Sequence, residues 1–375
     1  MGKVFDTETV TVTVIPPKER PIVAPNQRGN NRQMAYYSFD KIYSYNAIYN
    51  FIVGARGLGK TYGWKKKVIA AAIKRGDQFI YLRRYKDELK ASRNTFFADI
   101  YHEFPKWDFR INGEYAEMAP TKTRDEGKKR VWQVIGHFMP LSIAQGRKSV
   151  AYPLVTNIGY DEFILEKGMT HYLPDEANAF NQLYSTVDRN REKTKVFFMA
   201  NAVSITNPYF IEYEIKDIKV GDLITKAPDK NGIPFVACHF ADSKEFTAQV
   251  YETRFGQFIK DTEYGAFAVG NEFADNNENL LELKTSAARY HYSLETRYGV
   301  FTVWVDWANN MYYIQSKRPG QETLYTLLSD KMDVGKTLML QNDKMLSRLR
   351  TAFNSGRLKF DEPKSRNAFI EIFRR

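Results

Sequence analysis

The chain has 375 residues, more than one average domain, and its 43% hydrophobic and 15% aromatic content can fill a substantial core, which excludes wholesale disorder. A formal net charge of +11 favours polyanionic partners, nucleic acid first among them, or else marks a merely soluble basic protein. The single cysteine, Cys238, excludes an intrachain disulfide and a cysteine-built zinc site. No stretch of about 18 apolar residues and no signal-peptide pattern occurs, so the chain reads as soluble, cytoplasmic and without a membrane partner.

Residues 1–35 differ from the rest. TETVTVTVIPP alternates Thr and Val, and PKERPIVAPNQRGNNRQ is rich in Pro, Asn and Arg, so the segment reads as an arm that is flexible alone. Its Thr-Val run either adds a strand to a neighbouring sheet edge or stays a disordered tail. From Tyr43 strands alternate with helices, the pattern of a parallel sheet covered on both faces. AIYNFIVG (47–54) reads as a buried strand, GWKKKVIAAAIKRG (63–76) as a helix ended by Gly76, and QFIYLRR (78–84) as a strand. KDELKASRNTFFADIYHEF (86–104) reads as one helix. FRINGEYAEM (109–118) and VWQVIGHFMPL (131–141) read as strands around the charged segment 121–130. YPLVTNIGYDEF (152–163) and TKVFFMANAV (194–203) are further strands, with a helix from Asn178 to Arg191. Residues 208–235 mix turn residues with short apolar pieces and read as a linker or small subdomain. Beyond it lie strands at 299–307 and 311–317, then helices.

GARGLGKT (54–61) fits the phosphate-binding loop pattern and stands between a strand and a helix, the context that motif needs. Gly54, Gly57 and Gly59 allow close backbone approach, so the N–H groups of Ala55, Arg56 and Leu58 and their neighbours face an anion. Lys60 reaches the β- and γ-phosphates, and Thr61 offers a hydroxyl to Mg²⁺. GYDEF (159–163) sets two carboxylates at the end of an apolar strand: Asp161 for Mg²⁺, Glu162 as general base for the attacking water, with a solvated acidic turn as the bland reading. Together they predict an ATPase using ATP and Mg²⁺.

TVDRNREK (186–193) offers Arg189 and Arg191, either as ordinary surface cations or as an arginine finger. Asn201, ending its strand, is a sensor of the γ-phosphate or a turn residue. Basic segments around RRYK (83–86), Lys122, Arg124, Lys128, Lys129 and Arg130, and Arg147 with Lys148 either track a DNA backbone or form solvated faces. Five scattered histidines lack metal spacing, so no structural metal is expected.

With FIVGARGLGKTY, QFIYLRRYKDEL, YDEF, TVDRNRE, NAVSITNPYF and TRFGQFIKDTEYG in place, the chain from about Tyr43 onward resembles the phi-29-like bacteriophage DNA-packaging motor ATPases, relatives of terminase large subunits. The resemblance implies an α/β fold: an ASCE-type P-loop domain with a mostly parallel sheet, plus a smaller C-terminal α+β domain like an RNase H-type nuclease that has lost its active site. It implies a homo-oligomeric, pentameric ring docked transiently on a procapsid portal in the host cytoplasm. It also implies threading of double-stranded DNA with ATP hydrolysis, in some members with a structural packaging RNA. By the motif, Arg189 becomes the arginine that enters a neighbouring subunit's site, Lys148 a basic interface position, and Asn201 a sensor. The division expected is an arm over 1–35, the ATPase domain over 36–207, the linker over 208–235 and the C-terminal domain over 236–375. Asp306 in VWVDW faintly suggests a nuclease metal ligand, but no acidic cluster assembles around it in the sequence. The alternatives are a terminase-like motor with an active nuclease, or a non-enzymatic nucleotide-gated portal or RNA-binding protein.

Overall fold

A computed structural model describes residues 12–13, 34–127, 129–147, 150–165, 172–173, 175–201, 207–215, 218–262, 265, 280–316, 323–333, 335–340 and 342–373. Lys128, Lys148, the Arg147 side chain and most of the N-terminal arm lie outside the described residues. The chain divides into two compact units.

The first unit is built on a ten-stranded sheet. In chain order it contains β1 (Val12–Thr13), α1 (Asp40–Ser44), β2 (Tyr49–Gly54), α2 (Lys60–Arg75), β3 (Gln78–Arg83), α3 (Lys86–Asn94), β4 (Trp107–Asn112), β5 (Tyr115–Pro120), α4 (Thr121–Asp125), β6 (Gln133–Pro140), β7 (Val155–Asp161), α5 (Glu176–Asp188) and β8 (Lys195–Asn201). After α6 (Pro208–Glu212), which belongs to the second unit, come β9 (Leu223–Pro228), β10 (Pro234–Phe240), α7 (Lys244–Tyr251) and α8 (Arg254–Ile259). The strand order is β1-β4-β5-β6-β3-β7-β8-β2-β10-β9. Its central strands β6, β3, β7, β8, β2 and β10 are parallel. They are the continuous apolar runs that a sheet buried on both faces requires; every residue of β2 is buried. Placing β8 between β2 and β7 sets Asn201 beside Gly54 and Met199 beside Asp161, so three functional strand ends meet on one edge.

α2 ends as its sequence predicts: Gly76 takes φ 73° and its N–H bonds Ala72 O, with Lys74 and Arg75 in the last turn. Its Trp64 is fully buried against Phe79 and Tyr81. Three expected elements differ. The helix over 86–104 stops at Asn94, and the chain continues in tight turns with a short 3₁₀ segment at Tyr101–Glu103. Phe96, Phe97 and Ile100 are all buried, and Asn94–Thr95, where the helix stops, are weak helix formers. The strand over 109–118 is a hairpin of β4 and β5 that turns at Gly113–Glu114, with Gly113 at φ 58°.

The third difference concerns the linker over 208–235 and the boundary after it. Residues 223–240 form the antiparallel pair β9–β10, turned by Asp229–Gly232, and β10 pairs in parallel with β2. Val236, Ala237, Cys238 and Phe240 are buried, so this hairpin belongs to the ten-stranded sheet, and the expected 235/236 boundary falls inside it.

The second unit carries a six-stranded sheet of β11 (Arg289–Thr296), β12 (Gly299–Asp306), β13 (Met311–Gln315), β14 (Leu324–Thr326), β15 (Lys336–Leu338) and β16 (Leu358–Phe360), in the order β15-β14-β11-β12-β13-β16. One face packs Leu294, Phe301, Val303 and Ile314 against helices Lys344–Asn354 and Pro363–Phe373. No helix among the described residues is long and apolar enough to cross a membrane.

Candidate active site

The loop between β2 and α2 takes the shape its glycines permit. Gly57 and Gly59 have φ 80° and 81°, and a Cβ on Gly59 would stand 3.0 Å from the ring of Tyr36. Lys60 is buried; its Nζ donates to Gly54 O (3.0 Å), Ala55 O (2.7 Å) and Asn201 Oδ1 (3.4 Å). Burial lowers its pKa to about 7, against the pull of Asp161.

Thr61 Oγ1 donates to Asp161 Oδ1 at 2.8 Å, and Tyr81 OH donates to Asp161 Oδ2 at 2.8 Å. A hydroxyl and a carboxylate one hydrogen bond apart are hard oxygen donors of the kind Mg²⁺ takes beside substrate phosphates, so the residues present fit that ion. Glu162 follows in the left-handed region at φ 56°, its N–H bonded to Met199 O. That turn swings the side chain, 57% exposed, out of the sheet end while Asp161 stays largely enclosed. A non-glycine residue held there costs about 1 kcal/mol or more, a cost typical of functional positions.

Arg83, at the end of β3, grips both carboxylates: its NH1 lies 3.5 Å from Asp161 and its NH2 2.5 Å from Glu162. Burial works against its charge, but Asp161, Tyr81 and Glu162 outweigh it and raise its pKa. Next to it, Arg84 is fully buried with Glu176 in a two-bond pair of 2.7 and 2.9 Å, and also donates to Phe163 O. Tyr160 OH and Leu173 N–H complete the Glu176 carboxylate. This knot clamps the chain just after Glu162. The sequence places Arg83 and Arg84 in a basic segment for DNA or solvent; both instead face inward onto carboxylates. The sequence signal for them is arginine ending a buried strand, where only a paired charge is tolerated.

The two arginines of TVDRNRE separate cleanly. Arg191 donates to the carbonyls of Asp188, Tyr152 and Val187, within a turn whose N–H groups bond Asp188. Arg189 is exposed, reaching Val150 O at 3.4 Å among the described residues, and caps α5 in the left-handed region. α5 begins at Glu176 beside the site and runs away from it; its thirteen residues put Arg189 about 20 Å off. Arg189 therefore does not join its own chain's site. Of the charged segment 121–130, Arg124 (2.9 Å) and Arg130 (3.5 Å) pair with Asp108, Lys122 pairs with Glu126, and Lys129 is exposed. Much of its charge is answered internally. In the second unit Asp306 accepts from Thr285 Oγ1 and from the N–H and Nδ2 of Asn309, the pattern of a turn cap. Among the described residues no group of three His, Cys, Asp or Glu is placed to hold a metal ion.

The family described as Podovirus DNA encapsidation protein (Gp16) matches residues 32–375. The chain belongs to this family. It is 36% identical over 335 residues to a DNA packaging protein of Bacillus phage B103, covering 88% of this chain and 98% of that one. It is 35% identical over 345 residues to the DNA packaging protein of Bacillus phage phi29, covering 91% and 97%. The solved bacteriophage Phi-29 viral genome packaging motor assembly matches with a TM-score of 0.66 at 34% identity, over 91% of this chain and 99% of that chain. In this Gp16-family member the arm ahead of residue 32 stands outside the family match.

Proposed function

We propose that this protein is an ATP-driven motor that moves double-stranded DNA into a viral procapsid, working as a homo-oligomeric, pentameric ring on the portal. The observation that carries the reading is the meeting of Lys60, Thr61, Asp161, Glu162 and Asn201 at adjoining strand ends. Family membership and the packaging role named for the phi29 and B103 relatives support DNA as the cargo.

ATP binds with its phosphates against the N–H groups of residues 54–61, and Lys60 exchanges its loop carbonyls for β- and γ-oxygens. Thr61 and Asp161 would hold Mg²⁺, which when bound would supply positive charge to the phosphates. Glu162 orients the attacking water and takes its proton, and Arg83 positions that carboxylate. Asn201 contacts the γ-phosphate. Arg189 comes from the neighbouring subunit and stabilises the transition state. Tyr36, against Gly59 and 54% exposed, and Tyr62, directly after Thr61, offer aromatic surface on the side where the base emerges.

The test is steady-state ATP turnover with double-stranded DNA, beside nuclease protection of DNA packaged into procapsids. Glu162→Gln lowers kcat by about 10²–10⁴ with nucleotide affinity retained. Undiminished turnover in that variant sinks the assignment.

A further inference from the structure

An aromatic pocket lies at the far edge of the large sheet, away from the nucleotide residues. It is a cavity of about 190 Å³ whose lining includes Phe97, Tyr101, Trp107 and Phe109, with the Asp108–Arg124 ion pair beside them. Trp107, Asp108 and Phe109 are consecutive residues of β4. Among the described residues the outer side of β4 carries β1, antiparallel, with Val12 opposite Ile111 and Thr13 opposite Arg110. That register, continued past Thr13, points to Phe109, Asp108 and Trp107 in turn. The residues that follow Thr13 are Val14, Ile15, Pro16 and Pro17, all apolar.

We propose that the pocket is the seat of the chain's own N-terminal arm: the Thr-Val run pairs along β4, and Val14 and Pro16, which the register sets opposite Phe109 and Trp107 on the aromatic face, fill the cavity. Strand addition to a free edge supplies backbone hydrogen bonds, and aromatic-lined grooves accept extended aliphatic and proline segments with little ordering cost. The prolines lack the N–H a longer ladder needs, so pairing ends where the pocket begins. The docked strand also covers an edge that would otherwise be open to another chain.

Length assigns the arm to its own chain. Met34 packs beside Ala55 and Leu58 at the P-loop, and β4 lies six strand spacings from β2, about 29 Å away. A flexible connector over residues 18–33 has a root-mean-square length of about 22 Å and a much longer full reach. Effective concentration is greatest when connector length approaches the span, so a chain's own arm outcompetes a neighbour's. Residues 1–31 stand outside the family match, so changes there leave the shared fold intact.

The experiment is amide hydrogen exchange on the full chain, comparing wild type with Val14→Asp and Val12→Pro, and with Thr121→Trp to block the cavity from the other side. Exchange across Trp107–Asn112 rises about tenfold or more in each variant, the scale expected when one aliphatic side chain loses its burial. Protection of β2 and β3 stays unchanged, which shows the core is folded. Unchanged exchange of β4 in both arm variants overturns the proposal. Wild-type protection of β4 that falls on hundredfold dilution also overturns it, because the occupant is then another molecule's arm.

Discussion

Lys60 shows how one residue stores the site's readiness for anions. Its ordinary pKa of 10.5 falls to about 7 because burial penalises the charge more than Asp161 favours it. Between those values the unfolded chain binds a proton the folded chain lacks, so this group makes stability rise with pH through that window. Phosphate oxygens beside Nζ restore the charge, so nucleotide binding near pH 8 takes up a proton. Binding heats in two buffers of different ionisation enthalpy measure it: the uptake is large at pH 8 and small at pH 6, where Lys60 is already protonated. Equal heats in the two buffers at pH 8 exclude the mechanism. The Arg84–Glu176 pair makes the opposite point, a buried charge already satisfied. Glu176→Ala strands the Arg84 guanidinium in a dry site, and chemical denaturation is expected to show a loss of about 3–5 kcal/mol. Part of this is open to reading from sequence. The P-loop glycines, Lys60, Thr61 and the Asp161–Glu162 pair announce themselves by order and spacing. Arg83, Arg84 and Glu176 do not, because their partners lie 78 to 92 residues away in the chain and only the folded sheet brings them together.

At the scale of elements, the sheet and α2 fit through positions that must stay bare. A Cβ on Gly159 of β7 would fall 2.4 Å from the Trp64 indole, and one on Gly136 of β6 would fall 2.4 Å from Phe79. These glycines let α2 and its aromatic face settle on the strands that end in Asp161 and Arg83. Gly159→Ala pushes Trp64 outward, tilting α2 and with it Lys60 and Thr61. Thermal unfolding should show a loss of about 1–3 kcal/mol, and Trp64→Phe in the same chain should recover part of it by vacating the space. Full additivity of the two losses counts against direct contact. Elements as such are mostly legible, since the parallel strands are unbroken apolar runs. The exceptions are instructive. Asn112–Gly113 hides a hairpin inside a stretch that reads as one strand, and β9 with β10 reads as a linker because Pro, Asp, Asn and Gly crowd the turn between them. The segments TRFG and TEYG carry family resemblance but no visible structural role in the sequence. In the fold Thr253 and Thr262 each accept the N–H of a glycine three residues on and donate to the carbonyl three residues back, and Thr253 is the N-cap of α8.

At the scale of the whole molecule, the proposed mechanism needs more than one chain. Of the two arginines of TVDRNRE, Arg189 faces solvent, while Arg191 is consumed by carbonyls of its own turn and of Tyr152. Helix α5 holds Arg189 at the end of the sheet opposite Glu162, too far to turn inward without unwinding several turns. A guanidinium so placed serves hydrolysis only if a second copy brings it to the γ-phosphate, which is the arrangement the proposed ring supplies. Arg189→Ala subunits keep an intact Lys60–Thr61–Asp161–Glu162 site but offer no finger. Glu162→Gln subunits keep the finger but do not hydrolyse. Each homogeneous preparation is expected to lose turnover by about 10³-fold, the scale of an absent arginine finger or general base. Mixed in equal amounts, the two variants meet at some junctions where a Glu162→Gln subunit lends its Arg189 to the intact Glu162 site of an Arg189→Ala subunit, and those junctions recover activity. The recovery should peak at intermediate ratios and vanish on dilution below the assembly concentration. Tm measured on each variant alone should match the wild type, since Arg189 makes one long contact and Glu162 is largely exposed. Mixtures that stay inactive at every ratio, with assembly intact, remove the shared site.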